Sequence, residues 1–418
     1  MKKVSTILEL QQALKNAEES VIELQNSMTS PTVLHVPKGV KLVGAKDQLV
    51  LLAFSSDDGI ALNGNNEITN IAIQTNPSNR AIFIESVEED LGIITLQNLT
   101  ITGQIQLLTR EATMKTTIIA KDIDVVMADS RRYSEQPQKY GVNVYQGAFT
   151  IYNYNSNPDS LIKATLENIT IGRENAPSVG SGIFISGFND NGGQVRVDQL
   201  TTGDIYTNGM IPAGQPNLIT GGIFIVNSVK AEKIHSLGTV VTYGTNDMVL
   251  DVWGEVVNWT LEKPVISYGA SGIGFVNFGI VHNFIAKEEI STYGLGARGF
   301  NQYDGTVDNA EFDSITTYGQ GAIGIQISKP VGSIKVNNSV ETHGSIGNTL
   351  VKGVIMSLAA DGISVKPGGE VQQLEIGKNI VTHGDNVTCY HIDGGVVENF
   401  HLGGELIAKG QNSAKEQI

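Results

Sequence analysis

Apolar residues in this chain come in short runs that open on glycine, not in the i, i+3, i+4 spacing of an amphipathic helix. Examples are "GIFISG" from Gly182, "GIFIV" from Gly222, "GFVNFG" from Gly274 and "GIQIS" from Gly324. Beside them runs Gly-x-Val/Ile-x-Asn, often with an aromatic following: "GEVVNW" (Gly254 to Trp259), "GIVHNF" (Gly279 to Phe284) and "GVVENF" (Gly395 to Phe400), with looser copies at Asn309 and Gln373. A third recurrence is Thr-Tyr-Gly or a near variant at Tyr243, Tyr268, Tyr293 and Tyr318, 25 residues apart. The series continues as His343 after 25 more, His383 after 40 and Lys409 after 26. Each period therefore holds three short strands separated by turns, with nothing helical between.

Three strands in about 25 residues is the arithmetic of a parallel β-helix, in which stacked coils pair strand on strand roughly 4.8 Å apart. The expectation is an all-β solenoid of about 14 to 16 coils, on the order of 70 Å long. Asn258, Asn283 and Asn309 are expected to be buried and bonded to turn backbone. The glycine after each Tyr or His is expected to supply a positive φ at the corner. Less regular coils precede these, with Asn70, Asn98 and Asn168 in a shared local frame. Thr6 to Glu9 reads as a capping box, and Leu10, Ala13, Leu14 and Ala17 line one helical face. The expected organisation is a capping helix in 1–20, stacked coils over 21–410, and a tail at 411–418. Loops are expected to protrude near 128–141, 207–222 and 345–369.

The N-terminal helix of form Leu-x-x-Ala-Leu-x-x-Ala is followed by "VLHVPKGVKLVGAK" (33–46) and "DDGIALNGNNEITNIAIQ" (57–74). Together they resemble the pectin-lyase-like family of single-stranded right-handed parallel β-helices, over nearly the whole chain. The resemblance implies right-handed coils and lies in scaffold motifs. That family includes polysaccharide lyases, polygalacturonase-type hydrolases, epimerases, phage tailspikes and non-enzymatic adhesins, so the fold does not name a reaction. Of the polygalacturonase-like motifs only Asp57-Asp58 has a counterpart, and Asp-Asp-Gly is equally an ordinary turn before a strand. The glycine that should precede the histidine is missing at both His343 and His383. The pectate-lyase-like branch needs a basic arginine beside acids that bind calcium. Arg298 is the arginine of the regular coils, with Asp304 and Asp308 near it but no dense acidic cluster.

Composition narrows the partners. The 28 basic against 43 acidic residues leave a net charge of −15, the wrong sign for gripping phosphates or anionic membranes. Cys389 stands alone, which excludes an intrachain disulfide and a thiolate metal cluster. The start, broken by Glu9, Gln11, Gln12 and Lys15, shows no apolar signal-peptide core, so a cytoplasmic protein is expected, or a virion-associated one if phage-derived.

The residue ten after each Tyr faces outward if those at +7 and +9 face in. That column reads Trp253, Phe278, Tyr303, with Asp251, Val276, Asn301 and Gln326 two residues earlier on the same face. Exposed aromatics flanked by Asp and Asn suit a sugar ring, by stacking plus hydrogen bonds. The structural alternative is that the rings pack under a neighbouring loop. The segment 128–141 is a basic, aromatic cluster whose Arg131 and Arg132 suit a uronate or another carboxylate. His343 and His383 stand in the Tyr column, either as metal ligands or a base, or as polar-edged rings replacing Tyr. His391 with Asp393 reads as a short, unspecific acid–base pair.

Two functions follow. One is a carbohydrate-binding or carbohydrate-processing β-helix with Trp253, Phe278 and Tyr303 as sugar platform, Asp251 and Asp304 as acid/base candidates, and Arg131 and Arg132 as carboxylate clamps. The other is a non-catalytic structural, adhesive or phage receptor-binding rod. A glycan or small-molecule ligand is the expected partner. No nucleic acid, membrane, cofactor or metal is expected, and an oligomer is compatible with the sequence.

Overall fold

The computed structural model describes residues 1–16, 20–212, 214–351 and 354–418. It is built almost wholly from strands, most of them paired in parallel with a strand one repeat along, the arrangement of a parallel β-solenoid. Among the described residues no helix is long and apolar enough to cross a membrane. The chain forms two compact units: residues 1–137, 146–204 and 226–232, and residues 138–145, 205–225 and 233–418.

In the first unit the helix Ile7–Asn16 starts as its capping box requires. The Glu9 amide donates to Thr6 Oγ1 at 3.3 Å, and Glu9 Oε2 accepts from the Ser5 and Thr6 amides at 2.7 and 3.2 Å. Leu10, Ala13 and Leu14 are buried against the first strands, while the expected Ala17 lies outside the described residues. Strand on strand, Ile22, Leu42, Ile68, Leu96, Ala120 and Leu166 pair in register as one fully buried apolar column. One polar corner runs beside it. Asn70, Asn98, Asp122 and Asn168 all take left-handed φ, between 49° and 56°, a conformation that short polar side chains tolerate. Their side chains bridge coils, Asn98 Nδ2 to Asn70 Oδ1 and Asn168 Nδ2 to Asp122 Oδ1, each at 2.8 Å.

The second unit stacks three families of parallel strands. Val240, Val265, Ile290, Ile315 and Val340 pair at successive offsets of 25, Val340 with Ile380 at 40, and Ile380 with Leu406 at 26. The sequence spacing is thus the strand register itself. The long step holds an antiparallel hairpin, Ile346–Val351 with Val354–Ala359. Phe275, Phe284, Phe300 and Phe312 fill the interior beside Trp259; Phe275 and Phe284 stack with centroids 4.1 Å apart. Burying each such ring contributes roughly 1.5–3 kcal/mol.

Two corner expectations are corrected. Asn258, Asn283 and Asn309 are exposed, not buried, and bond mainly to one another: Asn283 Nδ2 to Asn258 Oδ1 and Asn309 Nδ2 to Asn283 Oδ1, both 3.2 Å. The glycines after the ring column do not carry positive φ. They are required because a Cβ at Gly294 would meet the Gly269 carbonyl oxygen at 1.8 Å, and one at Gly319 the Gly294 oxygen at 1.8 Å. Backbone crowding between coils, not turn conformation, selects glycine there.

Candidate functional site

The site forms in the second unit on the strands Asp247–Val252, Ile273–Asn277, Arg298–Gln302 and Ile323–Ile327. Period two sends Leu250, Phe275, Phe300 and Ile325 into the core, where all are fully buried. Asp251, Val276, Asn301 and Gln326 therefore share the outer face, and they pair in register.

That face is covered. Tyr140, held at φ 55°, lies over Phe278 with centroids 4.5 Å apart and meets Trp253 edge-on at 5.3 Å. Its hydroxyl donates to the Phe278 carbonyl at 3.2 Å. Trp253 is consequently 4% exposed, so this ring packs under a loop and is not an open sugar platform. Phe278 and Tyr303 remain half-buried and stack on each other at 4.7 Å. Pro216 and Ile219, from the lengthened 207–222 segment, line the same cavity. Its Ser271 wall touches the third insertion, Ser271 Oγ lying 3.3 Å from Thr349 Oγ1. Segments of all three irregular stretches thus meet at one place.

Under this cover lies a cavity of about 100 Å³ lined by Asp251, Arg298, Asn301, Phe278, Tyr303 and Tyr140, among others. Asp251 is 0% exposed, and neither carboxylate oxygen has a hydrogen-bond partner among the described residues. Burial pushes its carboxyl well above the ordinary carboxylate range. The nearby Trp253 indole and Val252 amide oppose that shift, but the indole N–H itself closes no hydrogen bond among the described residues. Asn301 Oδ1 is likewise buried without a partner among the described residues.

Arg298 is 5% exposed. It donates from Nη1 to the Gly296 carbonyl at 3.0 Å and from Nε to Gln326 Oε1 at 3.2 Å. No carboxylate of the described residues pairs with it. Burial pulls its guanidinium down to about 10, so it stays charged at neutral pH, while burial shifts Asp251 the other way, toward its protonated form. The cavity therefore holds a buried guanidinium with no carboxylate paired to it among the described residues, several unused hydrogen-bonding atoms and an aromatic wall.

Asp247 fixes the cover. Its oxygens accept from the Gly209 amide (2.9 Å), the Thr220 hydroxyl (2.9 Å) and the Gly244 amide (3.2 Å), and burial pushes it up to about 6. Sequence reasoning missed it. The available signal was an Asp four residues after Tyr243, where later copies carry Gly272, Ala297 and Ala322.

The other candidates lie elsewhere. Asp304 is half-buried, 3.7 Å from Lys329 Nζ, and does not line the cavity. Arg131 and Arg132 belong to the first unit. Arg131 pairs with Asp129 at 2.7 Å, and Arg132 donates to Asn79 Oδ1 at 2.8 Å. Asp58 binds Arg80 through its backbone amide, Nε and Nη2, which gives Asp57-Asp58 a structural role. His391 pairs with Asp361 at 2.9 Å, whereas Asp393 pairs with Lys366 at 2.9 Å, so the expected His391–Asp393 pair is replaced by two others. No family model matches the chain, and no curated protein or solved structure matches it.

Proposed function

We propose that this protein is a carbohydrate-binding solenoid whose second unit takes a carboxylate-bearing sugar, and that its coils are the right-handed, roughly 25-residue turns of the pectin-lyase-like scaffold. The observation that carries the reading is Arg298: a buried, charged guanidinium without a carboxylate partner among the described residues, facing a cavity. Leaving a buried charge uncompensated is costly, and an anionic ligand removes that cost through a charge-assisted hydrogen bond. Burial favours the protonated form of Asp251, which can donate one hydrogen bond and accept another, as a sugar hydroxyl requires.

A cavity of about 100 Å³ accommodates the carboxylate end of one sugar, not an oligosaccharide. The half-buried Phe278 and Tyr303 then offer ring surface to the remainder. Asp251 is the single carboxyl among the residues lining this cavity. Glycoside hydrolysis ordinarily uses two carboxyls flanking the bond, so binding is favoured over hydrolysis.

The lowered Arg298 pKa enlarges its small neutral fraction and so favours a second reading, in which that neutral form takes the C5 proton of a uronate while the C4–O glycosidic bond breaks and its oxygen leaves with the departing sugar. A panel of acidic and neutral oligosaccharides, followed by saturation-transfer NMR and by ultraviolet absorbance for 4,5-unsaturated products, separates these possibilities. Binding of uronates alone supports the first reading, and unsaturated products support the second. Binding of neither sugar class removes both.

A further inference from the structure

The ring column of the second unit ends on two imidazoles. Tyr243, Tyr268, Tyr293 and Tyr318 stack at centroid spacings of 5.3, 5.0 and 4.7 Å. His343 follows at 4.6 Å and His383 at 4.2 Å beyond it. The 40-residue step between these histidines does not separate them, because the hairpin leaves the coil and returns. Glu341, on the Val340–Thr342 strand, reaches the same place. Its Oε1 lies 2.5 Å from His383 Nε2 and 3.4 Å from His343 Nε2.

We propose that Glu341, His343 and His383 form a binding site for a divalent transition-metal ion of the zinc class. One donor atom from each side chain lies within 4.8 Å of the other two, and the three side chains are only partly buried, so an ion and its water can enter. Two imidazole nitrogens and one carboxylate oxygen are a borderline donor set, matched to zinc, copper(II) or nickel and poorly to calcium or magnesium. In a tetrahedral zinc site, with bonds near 2.0–2.2 Å, neighbouring donor atoms stand about 3.3 Å apart. The His343–Glu341 distance already fits. The shorter His383–Glu341 contact is one a proton bridges, and an ion replacing that proton opens it. The rings, now 14° from parallel, must also turn about Cβ–Cγ to aim both nitrogens at one point.

Such an ion ties the coil before the hairpin to the coil after it. Thr342 Oγ1 already spans that junction to the Ala360 carbonyl at 2.7 Å, and the metal adds a second closure at the hairpin base.

The test is calorimetric titration of the chelator-stripped full chain with Zn²⁺ alone, repeated with Co²⁺ to read coordination from its visible bands. Wild type is expected to bind one saturable equivalent. His383→Phe keeps a ring in the stack and is expected to weaken binding at least about a hundredfold, more than loss of a merely supporting contact costs. Glu341→Gln, which keeps the shape, is expected to weaken it at least tenfold. His282→Phe is the control, because His282 faces Asp308 and Glu255 with a single imidazole, and is expected to leave the equivalent in place. Absence of a saturable equivalent in wild type, or wild-type affinity in either His383→Phe or Glu341→Gln, overturns the proposal. If His383→Phe does not fold, Glu341→Gln decides alone.

Discussion

Asp251 combines two properties that conflict in a merely structural residue: full burial and no hydrogen-bond partner among the described residues. Its folded pKa is raised above the unfolded value. The stability tied to its proton is therefore complete below the unfolded pKa, near 3.9, and is lost as pH rises toward and through the folded one. Asp251→Asn is nearly isosteric and cannot ionise. It is expected to raise stability at pH 8 by on the order of 1–3 kcal/mol and to leave it little changed at pH 4, as read from denaturant midpoints at the two pH values. Equal effects at both would mean that burial does not raise the Asp251 pKa. A gain in stability with a loss of uronate binding is the trade-off expected where strain is kept for a ligand. Trp253 carries the opposite expectation. Buried beneath Tyr140, it costs about 3–5 kcal/mol when cut to Ala, in contrast to the small cost expected of an outward ring.

Among the elements, the corner columns separate what repetition reveals from what it conceals. Gly294→Ala places a methyl at 1.8 Å from the Gly269 oxygen, which no side-chain motion relieves. It is expected to cost more than about 4 kcal/mol or to prevent folding, measured by chemical unfolding. Asn283→Ala removes two exposed hydrogen bonds and is expected to cost about 1 kcal/mol or less. Similar losses in the two variants would contradict this account. The 25-residue period was legible because Val240, Val265 and Ile290 must stack in register to bury their side chains. The direction of Asn283 was not legible, because a turn residue bonds a stacked copy equally well from inside or outside the core. The glycine column was legible as a column, but its cause is the approach of two backbones in different coils, which a local reading of φ does not contain.

For the whole molecule, the outward parity of Asp251, Trp253, Phe278 and Tyr303 was legible in the sequence, as was the alternative that a loop covers the rings, but not which segment does so. Tyr140 meets Trp253 across more than a hundred residues, and Thr349 reaches Ser271 from the opposite direction along the chain. Such contacts follow from where insertions leave and re-enter the coils, which periodicity does not encode. Tyr140→Ala is expected to let water reach Trp253 and red-shift its emission while the far-ultraviolet circular dichroism stays constant. An unshifted spectrum would show that Tyr140 does not seal the cavity. We propose that Arg298 is kept charged and buried, with no carboxylate partner among the described residues, so that a ligand's carboxylate can pair with it. Calorimetric titration of wild type and Arg298→Gln with a uronate oligosaccharide and its neutral, carboxyl-reduced counterpart tests this most directly. Wild type should prefer the acid by at least tenfold, about the 1.4 kcal/mol of a modest charge-assisted bond, and Arg298→Gln should erase that preference. Equal affinity of wild type for both sugars, or an undiminished preference in Arg298→Gln, would contradict it.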